Sequence, residues 1–153
     1  MITVTALALT LTLTGVPADG MTALERRAAD MTGIAPSLYR GEWYNEKHEG
    51  TRRCIIDRES KGDYRAKNRS SSASGAYQFL DRQWRDGLVW MMLEEEPKGS
   101  PKREEIKQLR DVPIRKWNRY YQDRAFWTAY RDGHGAHHWH YPPKPCPPGK
   151  AER

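Results

Sequence analysis

EKHEGTRRCIIDRESKGDYRAKNRSSSASGAYQFLDRQW, residues 46 to 84, is the stretch from which the rest of the chain is read. Its first part spaces Ile55, Ile56 and Glu59 so that all three share one face of a helix, and Gly62 supplies the left-handed residue that stops it. Arg53, Asp57 and Arg58 fall off that face. A Ser-rich connection from Ser70 to Gly75 follows, and Asp81 is placed to cap a second helix carrying Trp84, Leu88, Met91 and Met92 at helical spacing.

Working outward, residues 21–45 read as a short helix and an aromatic-bearing loop, and residues 94–101, with two prolines, as a polar hinge at the surface. A short charged helix is expected over 102–109. Pro113 is expected to open a longer one holding Ile114, Trp117, Tyr121, Ala125 and Tyr130. The proline-rich tail suits neither helix nor central strand, strand signals are poor, and the expected body is mainly α.

With 153 residues, 37% of them hydrophobic, one compact domain with terminal extensions is expected, and a large multidomain cofactor enzyme is excluded. Residues 1–50 carry 4 basic and 6 acidic side chains, whereas 51–153 carry 22 and 14, so the positive charge is concentrated downstream. Such a surface suits an anionic polymer: nucleic acid, acidic lipid or a bacterial wall. Residues 1–18, uncharged and rich in Thr and Leu, read as an export leader, although the Thr/aliphatic alternation would also suit a strand. No stretch is long enough to span a membrane.

Glu59 is the residue with chemistry to offer. A carboxyl beside packed isoleucines, in the last turn where the helix dipole repels an anion, is expected to favour its protonated form. That form can protonate the departing oxygen of a glycosidic bond. Downstream, the small residues of Ser74-Gly75-Ala76 let backbone approach a ligand, Tyr77 offers a ring face for a sugar, and Gln78 offers an amide for hydroxyl or acetamido groups.

Together, Arg58-Glu59-Ser60-Lys61-Gly62-Asp63-Tyr64, Asn68, Gly75-Ala76-Tyr77-Gln78-Phe79 and Trp84 resemble the landmarks of the lysozyme-like transglycosylase domains of the resuscitation-promoting-factor and lytic-transglycosylase type. The resemblance covers residues 45–90 and returns at Gln122–Trp127, Gly133, Gly135, Trp139 and Cys146. Lys61, the hinge near Pro97 and the placement of Cys54 depart from the pattern. The resemblance implies a mainly α, lysozyme-like domain over 45–146, with a small or absent sheet and a substrate cleft, preceded by a helix and loop over 19–44 and followed by a tail at 147–153. It implies a peptidoglycan-cleaving activity in which Glu59 is the acid/base and Ser60, Tyr64, Gly75, Tyr77 and Gln78 serve the substrate.

Asp63 and Asp81 are the available second carboxylates, but each suits a turn or cap, so a single-carboxylate mechanism assisted by the substrate acetamido group is expected. No cofactor is expected. His134, His137, His138 and His140 show no spacing for a metal, so no metal site is expected either. Cys54 and Cys146 form an even pair in a chain read as exported, and a disulfide closing 92 residues could contribute about 4 to 5 kcal/mol in the chain-entropy view. The expected partner is the peptidoglycan strand, not nucleic acid, for a monomer that is secreted or phage-encoded. A non-catalytic glycan-binding module is the alternative.

Overall fold

A computed structural model describes residues 22–139 and Cys146; the leader reading of residues 1–18, the 147–153 tail and His140 lie outside the described residues. Five α-helices, short 3-10 turns and a two-stranded antiparallel sheet make up the described chain, so the molecule is mainly helical. Thr22 opens α1 (Ala23–Ala29) with a reciprocal capping box to Glu25. A 3-10 turn at Glu46–His48 leads into α2 (Glu49–Ser60), which carries Glu59.

The stop of α2 is stronger than one glycine. Lys61 and Gly62 are both left-handed, at φ 57° and 85°, and a Cβ on Gly62 would come within 2.9 Å of the Gly33 carbonyl carbon. The N-terminal loop therefore crosses directly over the helix end. Strands β1 (Ala73–Ser74) and β2 (Phe79–Leu80) pair in a short hairpin, to which Lys67 adds one bridge opposite Ser74.

α3 (Asp81–Glu95) starts at Asp81 with Leu80 as an N-cap that makes no side-chain bond, which corrects the expected Asp81 cap. The Asp81 carboxylate is drawn inward instead. Beyond the hinge, α4 (Lys102–Gln108) is where a short charged helix was expected. The last α3 carbonyls are held from outside: Arg103 donates to Leu93 O and Glu96 O, and Arg124 donates to Met92 O at 3.0 Å.

Pro113 does not open the long final helix. It precedes a 3-10 turn at Ile114–Lys116, after which Trp117 is extended because its indole donates to Leu109 O and Val112 O at 3.2 and 2.8 Å. Asn118 then caps α5 (Arg119–Tyr130) by accepting from Tyr121 N. Every residue of α5 except Tyr120 is buried, which makes it the central helix. α1 and α3 pack against it, and the N-terminal Met31 and Tyr39 join the same core as Ile55, Phe79, Leu88 and Phe126.

A helix buried on all sides must have every charge answered. Asp123 Oδ1 accepts from the Tyr64 and Tyr77 hydroxyls at 2.8 and 2.6 Å and from Arg52 Nη1 at 3.4 Å, while Oδ2 accepts from Leu38 N at 2.8 Å. Arg52, fully buried, also donates to Tyr77 Oη, Ala35 O and both Glu49 oxygens. Cys54 and Cys146 are joined by a disulfide, which ties the chain beyond Trp139 to α2.

Asp123→Ala is expected to cost about 3 to 5 kcal/mol, because it takes the buried acceptor from the Tyr64 and Tyr77 hydroxyls and from Leu38 N and removes one of the two carboxylates that face Arg52. Urea unfolding checks this; a loss under 1 kcal/mol, of the size typical for an exposed pair, would refute the role given to the network.

Candidate functional site

Behind the hairpin, Gln122 acts as a clamp. Its Oε1 accepts from Ala76 N at 2.9 Å, and its Nε2 donates to Tyr64 O and Trp117 O at 2.9 Å each. Gly75, at φ 80°, passes so close that a Cβ there would lie 2.5 Å from Gln122 Oε1. The turn between the strands is thus fixed from below. Its last residue, Gln78, is held left-handed at φ 52°, with Nε2 donating to Gly75 O at 3.0 Å.

Gln78 opens onto a groove of about 240 Å³ whose other walls are Phe79, Leu80, Trp84, His137, His138 and Trp139. Trp139 is fixed by its indole, which donates to Tyr77 O at 2.9 Å, and its ring meets Phe79 edge-on at 5.5 Å. Trp84 and His138 meet at 4.3 Å, with ring planes 89° apart. Burial, and then the neighbouring His137, hold the His138 imidazole below its ordinary pKa.

Glu59 lies at the far end of α2 with its side chain 18% exposed. Arg58 donates to Glu59 Oε1 from Nε and Nη2 at 3.0 and 2.7 Å, and its Nη2 also reaches Trp139 O. Helical spacing put Arg58 off the face of Glu59; its long side chain bends back, and the carboxylate is salt-bridged as well as sheltered. Glu59 does not itself line the groove; its link to it is the Arg58 guanidinium, which reaches the Trp139 backbone carbonyl.

Other expected site residues go elsewhere. Tyr77 and Tyr64 are fully buried, and Tyr77 stacks on Phe126 at 4.7 Å, so neither ring is a free sugar platform. The hydroxyls explain this: both are drawn to Asp123, and burial followed by Asp123, for Tyr64, or by the opposing Arg52, for Tyr77, leaves each phenol pKa raised. Ser60 Oγ donates to Ile56 O within its own helix. Asp63 closes a turn by accepting from Arg65 N at 2.8 Å. Asp81 is buried, salt-bridged to Arg85 at 2.7 Å, and accepts from Ile114 N. Neither aspartate lines the groove.

What the residue pattern did not reveal is the support: Arg52, Gln122, Asp123 and the His137–His138 wall. A signal for Arg52 existed, since it lies seven residues, two helical turns, before Glu59 and so on the same face. Among the described residues no group of three His, Cys, Asp or Glu is placed to hold a metal ion. Comparison with protein-family models, curated proteins and solved structures gave no match.

NMR titration of His138 is expected to show a midpoint below the ordinary 6.5. Since the folded state disfavours its proton, its contribution to stability is intact above 6.5 and falls on acidification until pH passes below the folded midpoint. A midpoint above 6.5 would contradict the burial described. Gly75→Ala is expected to destabilise by about 1 to 3 kcal/mol, through the left-handed φ and the displaced Gln122 amide, as read by thermal unfolding.

Proposed function

We propose that the protein cleaves peptidoglycan at the β-1,4 bond between N-acetylmuramic acid and N-acetylglucosamine, with Glu59 as the sole general acid/base in a lysozyme-like fold. The observation that carries this reading is the tie from Glu59 through Arg58 to Trp139, a wall of an aromatic groove that also holds the Gln78 amide. Aromatic walls suit sugar rings, and an amide suits their hydroxyl and acetamido groups.

Arg58 occupies Glu59 Oε1, which leaves Oε2 as the oxygen to meet the glycosidic bridge. In the proposed reaction, Oε2 gives its proton to the leaving oxygen while the acetamido oxygen of the muramic acid closes on the anomeric carbon. The carboxylate then accepts a proton from either the sugar's own hydroxyl, giving an anhydro end, or a water, giving a reducing end. Asp63 and Asp81, engaged in a turn and in a buried ion pair, support a mechanism without a second carboxylate. The expected setting is the bacterial wall, reached by secretion or as a phage lysin or virion component.

One observation favours the second reading, a glycan-binding module without turnover: Glu59 Oε1 is already engaged within the chain, by an ion pair to Arg58 at 2.7 Å. Mass spectrometry of fragments released from purified wall separates the two. Glu59→Gln is expected to lower fragment release about a hundredfold or more while far-UV CD and thermal midpoint stay unchanged. Full activity in that variant, or a wild-type protein that binds wall and releases nothing, would end the catalytic reading.

A further inference from the structure

Leu80, 42% exposed, is shared between the aromatic groove and a second depression, formed by Arg69, Arg82, Gln83 and the Ser70–Ser72 loop. The two border one another at that single side chain. The second depression is preformed: Asn68 Oδ1 accepts from Ser70 N and Ser71 N at 2.8 and 3.1 Å, and Ser72 Oγ donates to Gln83 Oε1 at 2.7 Å, fastening the loop to α3.

Its two arginines stand apart from most others in the molecule. Arg52, Arg58, Arg85 and Arg124 each answer a carboxylate of the chain itself. Arg69 and Arg82 are exposed and have no ion pair or side-chain hydrogen bond among the described residues. Guanidinium groups free of internal partners suit a carboxylate or phosphate by charge and by their planar donors, and the loop beside them is held by Ser70 and Ser72, whose hydroxyls donate to Asn68 Oδ1 and Gln83 Oε1.

From this we infer that the Arg69–Arg82 depression is an anion-binding extension of the groove, taking a carboxylate- or phosphate-bearing substituent of a glycan strand whose sugar rings lie along Trp84 and Trp139. The inference rests on the wall-glycan reading above and adds to it a requirement on the substrate. Where the lactyl group of each muramic acid is amide-linked to its peptide, the amino-sugar backbone itself gives the arginines no fixed charge to bind. The anion comes from what the strand carries: the carboxylates of its peptide side chains or the phosphodiesters of an attached polymer.

Binding to insoluble wall, measured by co-sedimentation in a Glu59→Gln background so that the wall stays intact, tests this without depending on catalysis. Arg69→Gln/Arg82→Gln is expected to weaken binding on the order of tenfold, since two exposed charge-assisted contacts to the anion are removed. The effect should shrink as salt rises. Arg27→Gln/Lys98→Gln removes the same charge from exposed positions elsewhere, and should weaken binding less than twofold. Wall whose carboxylates are neutralised by carbodiimide coupling to methylamine, and wall stripped of phosphopolymer by acid, identify the source: the treatment that erases the difference between the parent and the Arg69/Arg82 variant removes the ligand.

Equal binding by parent and Arg69/Arg82 variant overturns the inference, as does an equal loss in the control pair, a difference that survives both treatments, or tighter, Arg69/Arg82-dependent binding to duplex DNA. Wild-type release of fragments is scored separately. A protein that never cleaves but shows the expected binding pattern loses the catalytic reading and keeps this one.

Discussion

The Asp123 carboxylate, buried in the middle of the central helix, sets the terms for everything around it. An isolated charge in that position is not tolerable, so segments distant in sequence must bring donors to it: Leu38 from the N-terminal loop, Arg52 from α2, Tyr64 from the loop after α2 and Tyr77 from the turn of the hairpin. Each donor is specific in direction and length. The network therefore fixes how the elements sit as well as that they are together.

The candidate site inherits that geometry at one remove. Arg52 and Glu59 share a face of α2, so anchoring the first orients the second. Tyr77, locked to Asp123, offers its carbonyl to the Trp139 indole and precedes Gln78 in the chain, so two walls of the groove descend from one buried phenol. Gln122, next to Asp123 on α5, holds the same turn by its backbone. The groove residues come from the hairpin, the start of α3 and the 3-10 turn at Ala136–Trp139, while Arg52, Gln122 and Asp123 behind them lie on helices.

Much of the scaffold was legible in the sequence because it depends on local signals. The shared face of Ile55, Ile56 and Glu59 with the stop at Gly62, and the run from Trp84 to Met92, each report on a single helix, and each corresponds to one in the structure. The helix expected from Pro113 was misread because Ile114 and Trp117 keep an apolar rhythm while the Trp117 indole bonds two carbonyls of the preceding segment, which no periodicity records. Tyr77 was read as a ligand-facing ring for a related reason: an aromatic in a glycine-flanked turn looks exposed until a buried acid 46 residues away claims its hydroxyl. Pairings across the chain, such as Arg58 with Trp139, leave no trace in spacing.

The cross-link from Cys54 to Cys146, whose partners are 92 residues apart in sequence, encloses the hairpin, the proline hinge and the central helix in one covalent ring. A single peptide-bond cut by a protease anywhere inside that ring, at the exposed Pro97–Gly99 turn for instance, opens the ring without producing two separable fragments. In surroundings rich in such enzymes, the molecule can be nicked and remain one particle, its pieces kept at the high mutual concentration that favours re-forming the native contacts.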